Sequence, residues 1–306
     1  MQEIREYAPV LIPTLNRHVH LKRCVESLAR CTHADKTELV IGLDYPSSDK
    51  YREGWEKISE YVDTITGFKK VTILRAESNI GATENFNILQ EYAKAHYQTF
   101  ILSEDDNEFS PCFLDYIDKG LTKYWDDERI TAICGYNYPV DMGAYDKNIY
   151  AHHQHSAWGV AFWSHKWQPL TATYANKILK SPAKALKVLR TEARMFYVLM
   201  SMVAQKQRWG DTLRVVHNIV ENRYSIFPTL SLCRNLGHDG SGLHCGGSAG
   251  DNNNIYHQQQ ISDAMTFDFD DIPIREAKLP SLKRFFKIPL REKLYHIKLY
   301  IKNIIL

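Results

Sequence analysis

The sequence predicts an α/β fold, a mostly parallel sheet flanked by helices. Through residue 107, short apolar runs alternate with helix-periodic stretches, and the crossovers are long enough for parallel pairing. Each apolar run is followed by an acid or an amide. The fourth run, Thr99-Phe100-Ile101-Leu102, stops in three consecutive acids, Glu104, Asp105 and Asp106. In open α/β sheets, ligands bind beyond the carboxyl ends of the strands, so these polar tips mark one crevice.

The elements follow in order. Pro9 to Thr14 reads as the first strand, closed by Pro13 and Thr14, with Asn16 and Arg17 just beyond. A helix from about Val19 to Arg30 places Leu21, Cys24, Val25 and Leu28 at steps of three and four. Glu38 to Asp44 is a second strand ending in an acid. A helix covers about Tyr51 to Val62, and Lys70 to Arg75 is the third strand. Asn79-Ile80-Gly81 makes a turn before a helix over Glu84 to His96. After the acids, Pro111 precedes a helix from Cys112 to Tyr124, as proline suits a helix start. Ile130 to Tyr136 is a fifth strand and Asn137 to Asn148 a turn-rich excursion.

Three adjacent carboxylates repel one another and are costly to desolvate without a partner. They read either as a solvated acidic turn or as a site for a divalent cation. Mn2+ or Mg2+ takes one or two protein carboxylates and fills its shell with phosphate oxygens and water. Two other nucleotide folds are excluded at the first strand. Pro13-Thr14-Leu15-Asn16-Arg17 stands where a dinucleotide-binding domain needs G-x-G-x-x-G, and no G-x-x-x-x-G-K-[ST] occurs anywhere.

Composition sets broad limits. The chain has 306 residues, 44% hydrophobic and 24% charged, which suits one large globular domain or a domain with an appendage. A net charge of +2 carries no nucleic-acid signal. No apolar run approaches the ~20 residues that span a bilayer. The polar opening after Met1 does not resemble a signal peptide, and six scattered cysteines without C-x-x-C read as reduced thiols. The expectation is a cytoplasmic protein. No zinc spacing appears among the histidines. His152, His153 and His155 read as a polar segment near a site.

Pro9 to Arg17, Asp44, Asn79-Ile80-Gly81 and Glu104-Asp105-Asp106 resemble the nucleotide-sugar half of GT-A glycosyltransferases. The most similar group is the inverting, family-2-type enzymes of bacterial surface polysaccharides. The segment Glu104 to Tyr116 is also similar to the acid-triplet region of N-acetylglucosaminyltransferase I. The resemblance implies a GT-A, Rossmann-like fold and a nucleotide diphosphate sugar as donor. It implies metal binding by Asp106, donor contacts from Asp105 and Glu104, and a base contact from Asp44. Pro13, Thr14, Asn16, Arg17, Asn79 and Gly81 complete the expected donor site.

Further on, Ser156 to Trp163 is dense in aromatics. It reads either as core or as a sugar platform, with Trp158 and Gly159 bordering the acceptor cleft. Ser181 to about Gln207 is helical, and its Lys184, Lys187, Arg190 and Arg194 form a solvated face. Asp211 opens a helix over about Thr212 to Glu221, as a capping acid or as something more. Asn222 to Pro228 is a turn and short strand. Leu232 to Gly247 is a glycine-rich loop carrying His238, Asp239 and His244, of a kind that closes over ligands. By resemblance, Asp211 is the catalytic base.

Residues 1–250 are therefore read as a catalytic domain, donor-binding through 107 and acceptor-binding over 108–250. Residues 251–277 read as a linker. Residues 278–306 carry eight Lys/Arg and one Glu among apolar residues, a basic amphipathic tail. That tail either lies on an anionic membrane surface or docks on the body. The expected function is metal-dependent, inverting transfer of a sugar to a glycan or lipid-linked acceptor, peripheral on the inner face of the membrane. A nucleotidyltransferase and a glycan-binding protein with a decayed site are the rivals.

Overall fold

The computed structural model describes residues 5–242, 255–263, 266–270 and 272–305, with side chains through Asn303. In chain order, the first half runs β1 (Val10–Thr14), α1 (His18–Ala29), β2 (Glu38–Leu43), α2 (Arg52–Val62), β3 (Lys70–Arg75), α3 (Ala82–His96) and β4 (Thr99–Leu102). The second half continues with β5 (Asn107–Phe109), α4 (Phe113–Lys123), β6 (Ile130–Cys134), β7 (Ile149–His152), β8 (Val160–Trp163), α5 (Ala172–Leu179), α6 (Pro182–Thr191) and α7 (Ala193–Ala204). It closes with α8 (Gly210–Glu221), β9 (Tyr224–Pro228), β10 (Cys233–Asn235), α9 (Pro280–Phe285) and α10 (Leu290–Tyr300).

Eight strands form one sheet in the order β3-β2-β1-β4-β8-β6-β9-β7. The run from β3 to β4 is parallel; β8 is antiparallel to both neighbours, β6 and β9 are parallel, and β7 closes antiparallel. This is the mixed, mostly parallel sheet flanked by helices that the sequence predicts. Alternate side chains of a strand point to opposite faces. Val10, Ile12, Ile41 and Ile101 therefore pack with α1 and α4 in one core, while Leu11, Val40, Phe100 and Leu102 pack with α3 in another. Burial on both faces explains why these strands read as apolar runs without polar alternation. A third core joins α5 through α8 around Leu199, Met202, Leu213 and Val216.

Two features position the site. Because β8 runs antiparallel to β4, Val160 pairs with Leu102. Trp158 and Gly159 thus arrive beside the acids. The small sheet of β10 on β5 pairs Asn235 with Asn107 and carries the glycine loop to the same place.

The helical region after Ser181 is divided: Glu192, in an extended conformation, separates α6 from α7. Helix α5 and strands β7 and β8 add to the predicted elements. The two strands are four residues each and buried throughout, so no period-two signal marks them.

The C-terminal segment is built into the body. Leu279, Leu282, Phe286 and Ile288 are buried, and the Phe286 ring meets Tyr138 edge-on at 4.8 Å. Ahead of them, Phe269 is buried against the first core and the Ala277 N–H donates to the Ala151 carbonyl at 2.9 Å. Helix α10 lies along α7, where His296 is buried and hydrogen-bonded to Ser201. Truncation before Lys278 should therefore expose core and cause aggregation. Phe286→Ala should cost about 3–5 kcal/mol. Urea unfolding of the full chain measures it, and an unchanged midpoint would mean that α9 contributes no stability.

Candidate active site

The acids after β4 are buried and clamped from β1. Thr14, the last residue of β1, donates its hydroxyl to Asp105 at 2.8 Å. Arg17, at the start of α1, spreads its guanidinium across both carboxylates, with Nη1 2.6 Å from Asp106 and Nη2 on Asp105. Burial pushes the Asp105 carboxyl up and Arg17 pulls it back. The same pairing overrides burial at Arg17 and raises its guanidinium further above neutrality. Glu104 stands apart from the fork. Burial, then Asp106 and Asp211, push its carboxyl up to about 8.

Strand β10 supplies the second clamp. The Asn235 amide donates to Asp106 at 2.6 Å and accepts from the Gly237 N–H at 2.9 Å. Gly237 sits so close that a Cβ there would lie 1.9 Å from Asp106 Oδ2. Only glycine lets the loop cross over the carboxylate. His238 follows, its ring stacked on Tyr256 at 4.4 Å. Asp239 is tied back to α1 by His20 at 3.1 Å. His244 lies outside the described residues. Asn235 and Gly237 belong to the Asn-Leu-Gly pattern of the sequence, but only the pairing of β10 with β5 puts them on Asp106.

Asp44 is buried at the end of β2 and accepts four hydrogen bonds. The backbone N–H groups of Tyr45, Ile80 and Gly81 donate to it at 2.8, 2.9 and 2.9 Å, and the Asn79 amide at 3.2 Å. It ties the turn after β3 to the crevice, with Gly81 at a φ of 82° that suits glycine. Pro13 pairs with Gly42 across β1 and β2. Asn16 turns its backbone carbonyl toward Gly54, where a Cβ would come within 2.2 Å.

Across the crevice, Asp211 occupies the first turn of α8 and, among the described residues, its carboxylate makes no hydrogen bond. Its side chain is 59% exposed, and desolvation by the surrounding chain pushes the carboxyl up to about 6 against the pull of Arg214. His155 Nε2 approaches it at 3.8 Å. Burial, with Arg214 nearby, pushes the His155 imidazole down to about 3, so it is neutral. The charge of Asp211 reaches Glu104, which places the two acids in one crevice. Trp158 stands between, edge-on to Tyr136 at 4.6 Å and to His238 at 5.7 Å. Gly159 has a φ of 66°, and a Cβ there would press on Phe109 at 2.8 Å.

Among the described residues no group of three or more His, Cys, Asp or Glu forms a metal cluster. A smaller donor set is present. His238 Nε2 is buried without a hydrogen-bond partner, and the imidazole lies close enough to feel the Asp106 charge. One carboxylate and one orphaned imidazole fit a divalent ion that completes its shell with diphosphate oxygens and water.

Among solved structures, the fold is similar to a mannosyltransferase from Pyrobaculum calidifontis in complex with GDP-Man and Mn2+, at 13% identity and a TM-score of 0.41, covering 71% of this chain and 69% of that one. It is likewise similar to S. aureus TarS 1-349 in complex with UDP-GlcNAc, at 13% identity and a TM-score of 0.38, covering 69% and 71%. Curated protein sequences give no match. The family model described as Glycosyl transferase family 2 matches residues 10–193, from β1 into the start of α7. That span is more than half of the chain and holds the strand-tip acids, Arg17 and Trp158, so the chain belongs to glycosyl transferase family 2.

Proposed function

We propose that the protein is a metal-dependent, inverting glycosyltransferase that uses a nucleotide diphosphate sugar. Residues through 107, joined by Asn235, Gly237 and His238 from the glycine loop, serve the donor, and the rest of 108–250 serves the acceptor. The observation that carries this reading is one crevice with a buried, cation-clamped acid pair on one side and an uncapped, solvent-reachable Asp211 on the other. Asp106 and His238 would hold Mn2+ or Mg2+. A divalent ion there neutralises charge on the leaving diphosphate. Arg17 adds a fixed cation, and Glu104 would contact the donor sugar. Asp211, ionised above about pH 6, takes the proton of the acceptor hydroxyl as that oxygen attacks. One base and attack opposite the leaving group invert the anomeric centre. Trp158, over the backbone of Gly159, offers a flat face to a pyranose.

Incubation with nucleotide sugars and Mn2+ tests the reaction class. Release of nucleoside diphosphate is the expected result. Release of pyrophosphate would instead assign a nucleotidyltransferase, and glycan binding without donor turnover would assign a binding protein.

The acceptor is a glycan or lipid-linked sugar presented at the inner membrane face. Support comes from the outward side of α10. Leu290, Leu294, Tyr295 and Ile301 are 70, 56, 59 and 41% exposed, among exposed Lys287, Arg291, Lys298 and Lys302. The opposite side of the helix is held by α7. Such a face suits anionic lipid, with each Lys or Arg contributing about 1 kcal/mol. Among the described residues no helix is long and apolar enough to cross a membrane. The double variant Leu290→Ser, Leu294→Ser should lose co-sedimentation with anionic vesicles at an unchanged melting temperature. Undiminished co-sedimentation would remove this surface from the reading.

A further inference from the structure

Helix α8 carries a second charged side chain on the acceptor side of the crevice. Arg214 follows Asp211 by one helical turn. Its guanidinium lies over the Trp167 indole, with Cζ 3.9 Å from the ring centroid and 5.3 Å from that of Phe162. Among the described residues Arg214 has no hydrogen bond and no acid within ion-pair distance, and Asp211 is the acid whose charge reaches it. Arg208, just before α8, donates its Nε–H to the Leu170 carbonyl at 3.0 Å and also lacks an acidic partner. Both arginines thus engage one short segment, residues 167–170. Burial, then Arg208, push Arg214 down to about 10.

Two arginines with one partial counter-charge leave an excess of positive charge, half-buried at Arg214 and exposed at Arg208. The neighbouring imidazoles add no compensating charge. His155 is neutral, and burial, with Arg223 and Arg214, pushes His217 down to about 4. Contact with the Trp167 ring, 3.9 Å from Cζ to the centroid, holds the Arg214 guanidinium in place with its N–H groups unused among the described residues. That geometry suits bidentate recognition of a carboxylate or a phosphate.

We propose that Arg214 and Arg208 form an anion-recognition subsite, and that the acceptor is an acidic glycan. Its carboxylate or phosphate group lies on the sugar whose hydroxyl faces Asp211, or on the adjoining one. This inference rests on the reading of the Asp211 side as the acceptor side.

The test is calorimetry on the full chain, saturated with nucleoside diphosphate and Mn2+ so that the donor site is filled. The probes are methyl glucuronide, glucose 1-phosphate and the neutral methyl glucoside. At least one acidic probe should bind about tenfold or more tightly than the neutral one, the worth of a charge-assisted hydrogen-bonded pair. Comparing the two acidic probes separates carboxylate from phosphate. Arg214→Gln should abolish the preference and Arg214→Lys retain part of it. Arg208→Gln, at an exposed position, should weaken it at an unchanged melting temperature. Equal binding of acidic and neutral probes, or a preference that survives Arg214→Gln, would overturn the subsite. So would a matching loss of nucleoside diphosphate affinity in Arg214→Gln, because the arginines would then serve the donor. Failure of the Asp211 reading is separable: Asp211→Asn with undiminished turnover removes the base but leaves the acid preference intact.

Discussion

Asp211→Asn should lower turnover by about 10²–10⁴, the usual worth of a general base. Donor affinity and melting temperature should stay near native. Asparagine keeps the size of the side chain and removes its capacity to take a proton. A capping acid would behave in the opposite way, tolerating asparagine and losing about 1 kcal/mol of stability on truncation to alanine. Among the described residues the carboxylate makes no hydrogen bond and approaches His155 at 3.8 Å, which favours the base reading over the capping one. The sign of the pH dependence follows. Crowding holds the Asp211 carboxyl up to about 6, so the proton-accepting form is lost as pH falls below that value. The rate should rise with pH through about 6 in the native protein, and the residual rate of Asp211→Asn should lack that limb. A native-like rate in the asparagine variant would place the base elsewhere.

Asp106→Ala should remove the Mn2+ dependence of nucleoside diphosphate binding, a loss exceeding about 100-fold in metal affinity. Asn235→Ala should cost about 10–100-fold, because the amide of Asn235 fixes the orientation of the Asp106 carboxylate without being a ligand itself. In Asp106→Ala the fork of Arg17 keeps Asp105, so the crevice retains one of its two ion pairs. Calorimetry with nucleoside diphosphate, with Mn2+ and with chelator, reads both variants. Equal affinity of the native protein under the two conditions would mean that Arg17 alone carries the neutralisation.

The parallel half of the sheet was legible because its strands are buried on both faces and separated by amphipathic helices. That gives an apolar run, a helical period and a polar tip in repeating order. The acids, Arg17 and Asp44 stood out for the same reason, since strand tips of a parallel sheet share one edge. Neither Asn235 nor Gly237 could be placed on Asp106 from the sequence, because their contact is made by a strand more than a hundred residues away. The same holds for Trp158, which reaches the crevice only because β8 reverses direction beside β4.

Patterning by itself determined the α/β class, the crevice at the strand tips and the two-faced character of the C-terminal segment. Tertiary structure decided what each face of that segment meets. Leu282, Phe286 and His296 turn inward, while Leu290, Leu294 and Tyr295 remain exposed. It also decided the partners of the charges: Glu104 apart from the fork with its carboxyl pushed up, Asp105 and Asp106 clamped by a guanidinium, Asp211 beside His155 and, among the described residues, Arg214 without an acid at ion-pair distance. Periodicity records only which side chains share a face of one element. Desolvation and pairing depend on groups brought together from distant elements, and these are fixed only when the sheet order is.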